Sequence, residues 1–147
     1  MATITFHGAA QEVTGSCYEL ESHCIGRVLI DCGMHQGGEE IDRVRDEVFD
    51  FDPELIDAVI LSHAHLDHSG LLPKLYREGF RGQILCTSAS AELLQIMLRD
   101  SVGLYLRDLE RANIRNDRRG KPRQEAEYDQ DDVEGVLACC QGSKYGD

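Results

Sequence analysis

Ala58-Val59-Ile60-Leu61-Ser62-His63-Ala64-His65-Leu66-Asp67-His68-Ser69-Gly70 is the stretch on which the chain turns. Its first four residues form an apolar run of the length of a short buried strand. The next eight place three of the six histidines and one carboxylate within six positions. Gly70 and the helix-like Leu71-Leu72-Pro73-Lys74-Leu75-Tyr76 follow. The histidines therefore occupy the loop leaving a strand end, where side chains can converge on one point. Neutral imidazole suits zinc, and a carboxylate oxygen completes a borderline-soft donor set. Four donors this close are more easily shared between two ions, roughly 3.5–4 Å apart in two-metal sites, than aimed at one. In that arrangement His63 and His65 hold one metal, and Asp67 and His68 begin the second.

Outward from the loop, strands alternate with helices, which gives an α/β class. Ala2 to Phe6 alternates, with Thr3 and Thr5 outward and Ile4 and Phe6 inward. Ser16 to Glu21 and Arg27 to Ile30 read as a hairpin turned at Ser22-His23-Cys24-Ile25-Gly26. Asp31-Cys32-Gly33 ends the second of these strands, placing another carboxylate at a strand end. His35 reads as a loop residue. Glu39 to Val48 carries a helical pattern, and Pro53 to Ile56 a short turn into the histidine strand. Leu71 to Arg77 reads as a helix stopped at Gly79, and Gln83 to Thr87 as a strand. A long apolar pattern from Ser88 to Leu109 forms one helix or two, kinked near Ser101-Val102-Gly103. Residues 112–130 are polar and read as a loop, a short helix spans Asp131 to Leu137, and the remainder is polar.

One domain over residues 1–147 fits the length, with 41% apolar residues for its core. No run is apolar and long enough for a membrane helix, and the start lacks the charged and apolar regions of a secretory signal. A cytoplasmic protein without a membrane partner is expected. The six cysteines then read as free thiols, and adjacent Cys139-Cys140 as a poor metal clip. A net charge of −12 argues against wrapping nucleic acid by bulk electrostatics, although seven of the fifteen basic residues lie between Arg107 and Arg123.

His63-x-His65-x-Asp67-His68 resembles the signature of the metallo-β-lactamase superfamily. Phe6-His7-Gly8-Ala9-Ala10-Gln11-Glu12-Val13-Thr14-Gly15-Ser16-Cys17 resembles the opening of its β-CASP branch, nucleases that process RNA and DNA. Arg99-Asp100-Ser101 is similar to bacterial members of that branch. The resemblance implies an αββα sandwich, of which this chain corresponds to the first half. A further His ligand, an Asp bridging both metals, a final His and the β-CASP insert have no counterpart here, because no histidine follows His68. The resemblance implies two zinc ions in the complete enzyme, with iron the alternative, and a metal-bound hydroxide attacking an RNA phosphate. Asp67 would hold metal and accept a hydrogen bond from the water. Asp31 would stand behind the metal loop and orient its ligands, so that Asp67 and Asp31 are the catalytic carboxylates. The chain is accordingly expected to be an N-terminal fragment or one chain of a split protein, with little activity alone. RNA would be held largely through the missing parts, and the open sheet face covered by a second chain or a second copy. Two other readings stay open. One is another hydrolase of the superfamily or a mononuclear iron sulfur-dioxygenase. The other is a non-catalytic module completed by a partner chain.

Overall fold

Ile25 donates its N–H to the Ser22 carbonyl at 3.2 Å, and Gly26 takes a left-handed φ of 75°. Together they close the hairpin between β2 (Tyr18–Ser22) and β3 (Gly26–Ile30). A computed structural model, describing residues 1–37, 40–144 and 146, places β1 (Ala2–Phe6) antiparallel beside β2. Gly38 of the expected loop and Glu39 of the expected helix lie outside the described residues, as do Tyr145 and Asp147 at the polar end. From β3 the pairing becomes parallel through β4 (Ala58–Ile60), β5 (Gln83–Thr87) and β6 (Cys140–Ser143). The result is one mixed sheet in the order β1-β2-β3-β4-β5-β6. Parallel neighbours require crossovers, and helices supply them: α1 (Glu40–Asp46), α2 (Leu66–Ser69), α3 (Leu72–Arg77), α4 (Ser88–Arg118) and α5 (Gln130–Cys139).

Residues paired across strands project to the same face, so the register sorts the side chains into two sets. Leu29, Val59 and Ile84 share one face and are fully buried in a core with Phe80, Leu94, Leu98, Tyr105 and Tyr128. The opposite face carries Ile4, Leu20 and Val28 in one row, then Phe6, Tyr18, Ile30, Ile60 and Leu85 in the next. Of these, Ile4 is 57% exposed, Phe6 63% and Ile60 46%. This corrects two expectations: Ile4 and Phe6 do not face inward, and the Ala58 to Leu61 run is not buried throughout. Alternation identifies an apolar face but not what covers it. The sheet thus has helices against one face and a second apolar face open, as in one half of a two-sheet sandwich.

On the covered face the β1–β3 end is polar. Glu19, only 5% exposed, accepts from Arg27 Nε at 2.5 Å and faces His7 Nε2 at 3.0 Å, while His7 Nδ1 lies 2.5 Å from Asp50. The Arg27 guanidinium holds the Glu19 carboxyl below its ordinary range; burial opposes this and His7 assists.

The apolar pattern after Ser88 is one helix, capped by the Thr87 side chain on Ser90 N–H. It runs to Arg118, so the polar stretch expected as a loop over 112–130 is irregular only over 119–129. Even that part is fastened. Asn113 donates to the Gln124 carbonyl and accepts from Gln124 N–H, at 2.9 and 2.7 Å. Tyr105 stacks on Tyr128 at 4.9 Å and accepts from Glu127 N–H. An Asp129–Asp132 capping box then starts α5. The expectation of a featureless end is also corrected, since Cys140–Ser143 pairs with β5 as a mostly exposed edge strand. All six cysteines are free thiols, and burial pushes Cys140 up to about 12.

Phe80→Ala should lower the unfolding free energy by about 3–5 kcal/mol, the cost of a cavity in a closed core. Ile60→Ser should change it by less than about 0.5 kcal/mol yet reduce binding of an apolar fluorescent probe; urea melts with and without the dye separate the two faces. Glu19 has a depressed folded value, so its ion pair stabilises fully above 4.5 and loses that contribution as pH falls through the lower value. Glu19→Gln should therefore be less stable at neutral pH and less sensitive to acid below 4.5, read from urea midpoints across that range.

Candidate metal centre

The site begins with a strained residue. Asp31, at the end of β3, has a φ of 62° and is 3% exposed. Aspartate is among the few side chains that tolerate a left-handed backbone. Here the turn aims its carboxylate at the neighbouring strand end. Asp31 Oδ1 accepts from Ser62 N–H at 2.8 Å. Its Oδ2 accepts from Ser62 Oγ at 2.9 Å, Ser16 Oγ at 3.1 Å and His68 Nδ1 at 2.7 Å. A buried charge is tolerated only with such partners. Neither serine was singled out from the sequence. Ser62, directly before the histidines, was the available signal.

The backbone around it is strapped just as closely. Ser16 N–H donates to the Asp67 carbonyl, Cys32 N–H to His68, Gly33 N–H to Ser16 and Met34 N–H to Leu66, all at 2.8–2.9 Å. A Cβ on Gly33 would collide with the Asp67 carbonyl, so this crossing requires glycine. Ser69 Oγ donates to the carbonyls of Ala64 and His65 at 3.0 Å, closing the loop onto the start of α2.

Hydrogen-bond direction then sets the imidazoles. The Asp31 carboxylate only accepts, so His68 donates from Nδ1, and in the neutral ring Nε2 keeps its lone pair. Ser62 Oγ spends its own hydrogen on Asp31, so at 3.1 Å it accepts from His63 Nδ1–H. This leaves His63 Nε2 with its lone pair, 3.2 Å from His65 Nδ1. The His63 and His68 rings lie 4.1 Å apart, and His68 Nε2 is 3.6 Å from Asp67 Oδ2. The structure thus gathers all five residues expected at the site, Asp31, His63, His65, Asp67 and His68. The donors neighbour one another without converging: among the described residues, no three His, Cys, Asp or Glu side chains are arranged to hold one ion. The donor chemistry nonetheless fits zinc, with imidazoles presenting Nε2 and a carboxylate beside them.

His35 does more than occupy a loop. It pairs with Glu12 and Glu47 and, with Met34, Asp67, Met97, Asp100 and Leu104, lines a cavity of about 430 Å³ between the histidine loop and α4.

Residues 10–138 match the family model described as the Metallo-beta-lactamase superfamily. Over 96 residues the chain is 53% identical to Ribonuclease TTHA0252 of Thermus thermophilus, covering 65% of this chain and 21% of that protein. Over 104 residues it is 43% identical to the RNase J-like protein of Methanocaldococcus jannaschii, covering 71% and 22%. Among solved structures it is similar to the metallo-beta-lactamase fold protein YhfI from Bacillus subtilis, with 29% identity, a TM-score of 0.42, and coverage of 65% and 40%. The chain spans about a fifth of the length of these two curated relatives.

Asp31→Asn keeps the backbone tolerance but turns an amide toward hydroxyl and imidazole donors. It should lower stability by about 1–3 kcal/mol, the cost of buried donors left unpaired. It should also free the His68 tautomer, visible in the nitrogen chemical shifts of its ring.

Proposed function

This chain belongs to the metallo-beta-lactamase superfamily, and on that premise we propose that it carries the metal-holding part of a zinc-dependent phosphodiester hydrolase acting on RNA. The observation that carries the reading is the Nδ1 hydrogen bond on each of His63 and His68, which leaves His68 Nε2 3.6 Å from Asp67 Oδ2 and His63 Nε2 3.2 Å from His65 Nδ1. The relatives named as a ribonuclease and an RNase J-like protein support RNA as the substrate class. In this reading His63 and His65 would hold one zinc ion and Asp67 and His68 would begin a second, completed in the whole enzyme by further ligands. Zinc in such a site supplies Lewis acidity, which polarises a phosphodiester and makes water acidic enough to attack near neutral pH. In the same reading Asp67 would accept a hydrogen bond from the attacking water and so orient it. Asp31 positions His68 without touching the reacting atoms, and Ser16 and Ser62 hold Asp31.

The open apolar sheet face supports a second layer of polypeptide, either in the same chain or from a partner. On that basis hydrolysis by these 147 residues alone is expected to be slight. The six free thiols suit a reducing compartment, in keeping with the cytoplasm. No helix among the described residues is long and apolar enough to cross a membrane.

Zinc titration followed calorimetrically tests the reading. Asp31→Asn should weaken zinc binding about 10–100-fold, the usual cost of losing a group that orients a ligand. His65→Ala should weaken it at least as much. A chain that takes up no zinc, or whose zinc survives His63→Ala and His65→Ala together, would defeat the proposal.

A further inference from the structure

We propose that α4 carries a track for the phosphates of a single RNA strand, starting at the cavity beside Asp67 and formed by Arg107, Arg111, Arg115 and Arg118. This rests on the reading of RNA as the substrate class.

The four arginines follow at intervals of four, four and three residues and are all exposed. At 3.6 residues per turn they fall within an arc of about 80°. Asp100 and Leu104, which line the cavity beside Asp67, fall on that same arc two turns and one turn earlier, and Ile96 lies about 20° beyond its edge. The buried Leu98, Val102, Tyr105 and Leu109 occupy the opposite side. One open face of one continuous helix therefore leads from the histidine loop to the arginines, spanning about 27 Å from Asp100 to Arg118 at 1.5 Å per residue.

The charge around the stripe is arranged to leave it positive. Between Arg107 and Arg123 stand seven basic residues and three acids, Asp108, Glu110 and Asp117, in a chain of net charge −12. Arg123, returning from the following segment, pairs with Glu110 and Asp117 at 2.5 and 2.8 Å and so offsets one of the two negative charges flanking the stripe on one side. Asp108 meets Arg111 at 3.1 Å. Among the described residues, no acid pairs with Arg107, Arg115 or Arg118. Complementing the helix dipole accounts for basic residues in the last turn, such as Arg115 and Arg118, but fades before Arg107 and Arg111. Planar guanidinium groups repeated about 6 Å apart along a rigid axis suit a flexible polyphosphate. The acidic cavity at Asp67 and Asp100 lacks this character, so the track holds the strand beside the site rather than within it.

The test is fluorescence anisotropy of a labelled, unstructured single-stranded RNA bound to the chain in the presence of a chelator. Failure of the zinc reading then leaves the result untouched, while zinc titration reports on that reading separately. Four phosphate contacts predict that affinity falls about 50-fold between about 50 and 200 mM salt. With Arg111→Gln and Arg115→Gln together the fall should shrink to about sevenfold. Glutamine keeps helix propensity, which circular dichroism verifies. A charge-matched pair elsewhere, Arg45→Gln with Arg99→Gln, should leave the salt dependence at its native slope. Equal effects from the two pairs, no measurable binding at low salt, or preference for phosphatidylserine vesicles over the RNA would overturn the proposal.

Discussion

The carboxylate of Asp31 is the constraint on which the rest depends. It is buried, charged and set on a left-handed backbone, a combination that folding would reject without compensation. Compensation comes from three directions. Ser62 follows β4, Ser16 precedes β2, and His68 lies in α2. Satisfying one anion therefore fixes the ends of two parallel strands and the first turn of the helix after the histidines. The crossing at Gly33, where only a glycine clears the Asp67 carbonyl, belongs to the same packing.

How much of this could be read in advance follows from which interactions are local. The hairpin at Ser22–Gly26 and the histidine loop were legible, because each is declared by residue types within a few positions; the expectation that Asp31 stands behind that loop came instead from the family resemblance. The direction of Ile4 and Phe6 was not. An apolar row on a strand carries the same pattern whether helices cover it or nothing in the described residues does. The extent of α4 was missed because Asn113, Asn116 and a run of arginines look like loop composition. The helix persists through tertiary fastening of Asn113 to Gln124 and of Tyr105 to Glu127, which no window of sequence displays. β6 was missed for the same reason: Cys140-Gln141-Gly142-Ser143 has little strand character, and only the edge of β5 makes it one.

Within the site, order falls off along a gradient. Asp31 is held by four hydrogen bonds and is nearly inaccessible. His68 is fixed by its bond to Asp31. His63 is held one step further out, through Ser62, which is itself held by Asp31. His65 is exposed and meets only His63 in this network. Distance from the buried anion is thus also the order in which the donors lose preorganisation. The half of the loop built on Asp31 needs no ion to keep its shape. In the proposed reading the half at His63 and His65 would gain most from an ion, because a common anchor would replace a contact between two imidazoles. A loop graded in this way couples its rigid side to the sheet and leaves its adaptable side, at His65, exposed.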